Sequence, residues 1–182
     1  MRYCGIVASG SYVHLCAFEE VRHPEPPITL EAIFYEPATP EQVAAEVRAF
    51  GDAVVAIAAP VGGPREGREG RVCDVELRRR GVLPLAFSPE GRRMFQALAN
   101  RGLYSPSAAG EATDGEVAEG AYTEMPIFET NPDGVFCALQ GRRVPAKRHP
   151  VGIARRIEEL VQDQVIDEGG DLWDRRIEEI EA

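Results

Sequence analysis

Residues 53–70 read AVVAIAAPVGGPREGREG. The first six, Ala53–Ala58, are apolar with no helical period, and Pro60 with Gly62, Gly63 and Pro64 ends the run. A short apolar run of this kind predicts a strand covered on both faces, as in the interior of an α/β sheet. In such sheets the chemistry sits just beyond the carboxyl ends of the strands. This strand ends on Ala58 and Ala59, where a catalytic site would want a carboxylate. The reading therefore turns on whether this edge is an active site or what is left of one.

Upstream, Tyr3–Ala8 predicts a first strand, Ser9-Gly10-Ser11 a turn, and Tyr12–Phe18 a second strand in hairpin register with it. A third strand is expected over Leu30–Tyr35. Thr39 is a good N-cap with Pro40 at the first helical position. Val43, Ala44, Val47 and Phe50 then mark an amphipathic helix that stops at Gly51. Downstream, helices are expected over Arg71–Arg80, closed by Gly81, and from Ser88-Pro89-Glu90 to Arg101-Gly102. Ser105–Gly120, rich in Gly, Ala, Ser and acids, reads as an exposed, mobile insertion. A fifth strand follows at Pro126–Thr130 and enters a helix through Asn131-Pro132-Asp133. Two more helices are expected, about Val151–Gln164 and from near Leu172. Three antiparallel strands followed by alternating helices and parallel strands make an α/β domain of ribonuclease-H-like type. A dinucleotide-binding fold would open β-α-β, and Gly5–Gly10 lacks the G-x-G-x-x-G spacing.

Composition sets the bounds. At 182 residues, 44% hydrophobic and 27% charged, the chain is expected to be one ordinary globular domain, residues 1–182. No stretch approaches the ~20 apolar residues that span a bilayer. Arg2-Tyr3-Cys4 enters a strand at once with no signal-peptide pattern, so a cytoplasmic location with no membrane partner is expected. Cys4, Cys16, Cys73 and Cys137 are scattered among apolar neighbours and predict buried reduced thiols. His14, in a strand-like run, reads as structural. The net charge is −10, yet residues 134–157 contain Arg142, Arg143, Lys147, Arg148, Arg155 and Arg156 and no acid. Local potential, not net charge, draws anionic ligands.

Four segments together resemble the DUF429 family, predicted nucleases of ribonuclease-H-like fold. They are Cys4-Gly5-Ile6-Val7-Ala8-Ser9, Ala56-Ile57-Ala58-Ala59-Pro60, Arg71-Val72-Cys73-Asp74 with Arg78, and Phe128-Glu129-Thr130-Asn131-Pro132. Leu139-Gln140-Gly141 and Pro145-Ala146-Lys147 extend the likeness. The resemblance implies an Asp on the first strand where Val7 stands, another on the fourth where Ala58 stands, and a further Asp on a C-terminal helix. Glu129 is the acid that remains. Enzymes of this type hold two divalent metals about 4 Å apart on clustered carboxylates. Mg²⁺ or Mn²⁺ is therefore the implied cofactor, weakly held or absent here. Glu129 alone supports at best a loose hydrated ion.

The remaining candidates are read residue by residue. Asp133 is either a helper acid or a first-turn helix residue favoured by the macrodipole. Arg71 and Asp74, three apart on one helix, are either a local ion pair or a grip on a phosphate, with Asp74 orienting Arg71 or replacing a missing ligand. Lys147, the only lysine, is expected to contact an anion, together with Arg143 and with Arg65, Arg68 and Arg71 from the glycine-rich loop. Arg155 and Arg156 read as a solvated helix face. The expected function is a metal-dependent nuclease-like protein acting on phosphodiesters, weakened or inactive. The alternative is a non-catalytic module that binds a nucleotide or nucleic acid.

Overall fold

The computed structural model describes residues 2–21, 29–51, 53–60, 71–99, 127–162 and 171–182. Five strands form one sheet: β1 (Arg2–Ser9), β2 (Tyr12–Val21), β3 (Thr29–Phe34), β4 (Ala53–Ala58) and β5 (Ile127–Glu129). Their spatial order is β3-β2-β1-β4-β5. The pairs β1–β2 and β2–β3 are antiparallel, while β1–β4 and β4–β5 are parallel. This order and polarity is the ribonuclease-H-like arrangement expected from the sequence. β4 keeps its expected bounds. β2 runs three residues past Phe18 because its charged end is paired across the hairpin. Arg2 Nη2 donates to Glu19 Oε1 at 3.1 Å, and the Tyr3 hydroxyl donates to Glu20 Oε1 at 3.2 Å.

Alternation divides the sheet into two faces. Cys4 and Ile6, Val13, Leu15 and Ala17, Val55 and Ile57, and Ile127 point to one face. There they meet α1 (Pro40–Ala49) and α3 (Pro89–Ala99) through Val43, Val47, Met94, Phe95 and Leu98. A capping box starts α1: Thr39 N–H donates to Gln42 Oε1 at 3.1 Å, and Gln42 N–H to Thr39 Oγ1 at 3.4 Å. The opposite face is covered by α4 (Pro132–Leu139), α5 (Pro150–Gln162) and α6 (Ile177–Glu181). Ile157, Ile177 and Ile180 form a smaller core there with Phe34.

α6 ends directly against β1. A Cβ added at Gly5 would fall 1.2 Å from the Ala182 carbonyl oxygen, so only glycine admits this contact. The last expected helix is split into a 3-10 turn over Asp171–Asp174 and then α6. The break lets Arg175 lie 4.7 Å over the Phe34 ring. α2 (Val72–Arg79) is a marginal element that buries none of its residues. It closes through Gly81 at φ 77°, a left-handed conformation that glycine adopts without strain. Cys73 on α2 is exposed, which corrects the expectation of four buried thiols; Cys4 and Cys16 are buried and Cys137 half-buried. Among the described residues no helix is long and apolar enough to cross a membrane. The expected insertion at 105–120, and Arg65 and Arg68, lie outside the described residues.

Candidate functional site at the strand ends

The parallel register sets Val7 beside Ala58 and Ile57 beside Glu129. All three candidate positions therefore stand at neighbouring strand ends, at the edge where α/β sheets place their chemistry. Alternation separates them by face, however. Ile57, and with it Glu129, turns toward the α1–α3 side. Val7 and Ala58, 5% and 8% exposed, are absent from that core and turn toward the α4–α6 side. The strand-end row on the second face is His14–Val7–Ala58, since His14 pairs with Val7 across β1–β2. It contains no carboxylate.

On the first face, Glu129 meets Arg71. Arg71 is the N-cap residue of α2, so its backbone is extended and its side chain is free to turn back over β5. Its Nε and Nη2 donate to Asp74 Oδ2 and Oδ1 at 2.8 and 2.7 Å. Its Nη1 donates to Glu129 Oε2 at 2.7 Å, and Nη2 lies 2.7 Å from Glu129 Oε1. These contacts use all but one of the N–H donors a guanidinium carries. Bidentate pairing on both sides is the strong geometry for this group. The two carboxylates hold Arg71 protonated well above its ordinary range, Asp74 contributing most. The same hydrogen bonds hold Asp74 below the usual carboxylate value. The cluster lines a groove of about 520 Å³ with Cys73, Leu77, Arg80, Leu85 and Asn131. Among the described residues, one arginine faces two acids in this cluster.

A second charged cluster lies under α5. Arg156 is 1% exposed, which corrects its reading as part of a solvated face. Its Nη1 donates to the carbonyls of Gly152 and Pro145 at 2.9 and 3.2 Å, and its Nη2 donates to Asp133 Oδ1. Three acceptors, together with the Phe136 ring 5.4 Å away, make burial of this charge tolerable. Arg155 does lie on an exposed face, paired with Glu158 at 2.8 Å. Lys147 donates to Glu181 Oε2 at 2.7 Å, and Arg156 Nε lies 3.6 Å from Glu181 Oε1. Burial pushes the Glu181 carboxyl up despite that lysine. Asp133 and Lys147 thus tie α4, the α4–α5 connection and α6 together. Arg143 is exposed and lines a separate groove of about 420 Å³.

His14 adds a feature the sequence reading treated as plain structure. It is 5% exposed, and its Nδ1 has no hydrogen-bond partner among the described residues. Burial lowers its pKa against the pull of Glu178 and Glu179 from α6, while Arg176 adds to the lowering. The acids opposite the empty row therefore come from α6. No local motif announces this, because the contact depends on how α6 crosses the sheet.

Do these residues fit the metal pair that the resemblance implies? Val7 and Ala58 supply no donor atom, and both carboxylates of the Arg71 cluster are already bonded to a guanidinium. Among the described residues no group of three or more His, Cys, Asp or Glu is placed to hold a metal ion. The donor set does not fit.

No curated protein matches the chain. Among solved structures, that of RuvC from Thermus thermophilus is similar at 13% identity with a TM-score of 0.45, over 100% of this chain and 88% of that one. A family profile described as "Protein of unknown function (DUF429)" matches residues 6–178. With nearly its whole length matched, the chain belongs to the DUF429 family.

Proposed function

We propose that this protein binds nucleic acid through its phosphodiester backbone on a ribonuclease-H-like scaffold, with metal-dependent cleavage weakened or lost. The observation that carries this reading is the register of Val7 against Ala58, an apolar pair at the edge where a nuclease of this fold would set carboxylates. Two-metal hydrolysis needs oxygen ligands shared between ions about 4 Å apart. Mg²⁺ in particular demands near-octahedral oxygen coordination. An alanine and a valine offer none. The Glu129 and Asp74 carboxylates are satisfied by Arg71, so a divalent ion entering there would have to displace a bidentate guanidinium on each side. What remains is a shaped groove at the strand ends whose walls, α2 and β5, are joined by Arg71. That bridge positions Glu129 and keeps the groove open; it does no proton transfer.

The test is fluorescence anisotropy with labelled single- and double-stranded DNA and RNA, beside a gel assay of the same substrates in Mg²⁺ and in Mn²⁺. Binding without metal-dependent cleavage is expected. Cleavage by the protein as it stands would overturn the loss of activity. Failure to bind any of the four would overturn the reading as a whole.

A further inference from the structure

We infer that the nucleic-acid backbone is held by a basic tract beside the strand ends, running from Arg78, Arg79 and Arg80 to Arg142, Arg143 and Arg148, and not by Arg71 and Lys147. This rests on the nucleic-acid reading above and adds where the phosphates lie. All six arginines are exposed. The first three form the C-terminal turn of α2 and the residue after it; the others lie between α4 and α5.

The two segments are held side by side. Asn131 Nδ2 donates to the Leu83 carbonyl at 3.1 Å, and the Leu77 side chain lies against Gly134. Arg80 lines the groove that contains Arg71, while Gly81 and Leu83 line the neighbouring groove together with Arg143. The end of α2 is therefore a low divide between two adjoining grooves with arginine on both sides. A single phosphate needs one such pocket. A tract that crosses two suits a repeating polyanion.

Charge points the same way. The acids that share its two grooves are engaged: Asp133 with Arg156, Asp74 and Glu129 with Arg71, and Glu76 with Arg80 at 2.9 Å and Arg79 at 3.8 Å. Among the described residues no carboxylate lies within 4.0 Å of Arg78, Arg142, Arg143 or Arg148 as an ion pair. Arg71 is held by two carboxylates and Lys147 by one that is 2% exposed, so neither is available to a phosphate, while Arg79 and Arg80 share a single exposed carboxylate, Glu76. On a chain of net charge −10 this tract is a positive exception, and a polyanion would be steered to it. Among the described residues no aromatic side chain lines either groove, so the contacts would be to backbone and independent of base sequence.

The experiment measures binding of a labelled oligonucleotide and its duplex across a salt series. It compares the unaltered protein with Arg142→Glu/Arg143→Glu, with Arg79→Glu/Arg80→Glu, and with the control Arg92→Glu on α3. The reversed residues are exposed, so every variant should fold; Arg79→Glu/Arg80→Glu loses its pairs with Glu76 and should melt slightly lower, which a melting curve beside each titration records. Each double reversal should weaken binding at least tenfold. It should also flatten the plot of log K against log salt by about 0.7 per lost contact for single strands and about 0.9 for duplex. The control should leave both nearly unaltered. Binding that persists with unchanged affinity and slope in both double variants would sink the tract while leaving the nucleic-acid reading intact. No binding by the unaltered protein would remove both. Equal competition by polyglutamate would reassign the tract to acidic proteins and overturn the nucleic-acid assignment.

Discussion

Replacing Arg71 by alanine removes the guanidinium that stands between two carboxylates whose side chains are 15% and 28% exposed. Taking one partner from a fully buried pair costs about 3–5 kcal/mol. Here partial exposure screens the two acids that remain, so about 2–3 kcal/mol is expected once the loss of charge-assisted hydrogen bonds is included. For a chain of this length that corresponds to a fall in Tm of about 4–12 °C. The effect should depend on pH with a definite sign. Asp74 is held below its ordinary pKa by Arg71, so the bridge stabilises the fold above the unfolded value of about 3.9 and is lost as pH falls through the depressed native value. Melting curves of the native protein and the variant should therefore lie far apart at neutral pH and converge in acid. Thermal unfolding followed by circular dichroism from neutral pH to about pH 3 measures this. A loss below about 0.5 kcal/mol, or a gap that stays constant into acid, would refute the picture of Arg71 as the clamp between α2 and β5.

Three further outcomes are expected. Val7→Asp/Ala58→Asp puts two carboxylates on buried register partners about 4.8 Å apart, and should lower metal-free stability by at least about 3 kcal/mol. Titrated Mn²⁺ should then raise the Tm of that variant and not of the unaltered chain, and a flat response in the variant would count against a former metal site. Burial depresses the His14 pKa, so the unfolded chain takes up a proton below about pH 6.5 that the native ring resists, and stability should fall as pH drops through that range. His14→Gln should remove this slope in urea titrations at a series of pH values; an unchanged slope would place the titration elsewhere. Arg156→Leu should cost about 2–3 kcal/mol by urea unfolding, since it leaves the part-exposed Asp133 without its cation while Glu181 keeps Lys147. A neutral result would mean that apolar packing replaces the ion cluster.

Much of the fold was readable because its signals are local. Thr39, Pro40 and Gln42 announce a helix start within four residues, and the β4 run is apolar from end to end. The strand order followed from the same reasoning, since a hairpin leading into alternating helices and strands leaves few topologies. The candidate site was legible only in its parts. Arg71 and Asp74 are one helical turn apart, but Glu129 completes their cluster from 58 positions away, through a fold contact with no sequence spacing of its own. Which face Glu129 takes depends on a single step of register, because one residue of shift reverses every side chain. Arg155 and Arg156 look alike in sequence, yet one is exposed and the other is the largest fully buried side chain among those described. What separates them is 100° of helix rotation and the carbonyls of Pro145 and Gly152. The α6 acids beside His14 could not be foreseen either, because they depend on where the last helix crosses the sheet.

The contact between Lys147 and Glu181 also makes the molecule its own reporter. Lys147 is the one lysine of the sequence, so an acylating reagent aimed at amines meets a single ε-amino group. Its side chain is 36% exposed, so such a reagent reaches it while the ion pair with the buried Glu181 carboxylate, at 2.7 Å, is in place, and acylation removes the charge that Glu181 faces. Modification of Lys147 would therefore cut the tie between the α4–α5 connection and α6 at one known atom. Melting curves before and after labelling, with peptide mass spectrometry to confirm the site, would measure what that tie contributes. One contact of one short helix could then be tested without changing a residue.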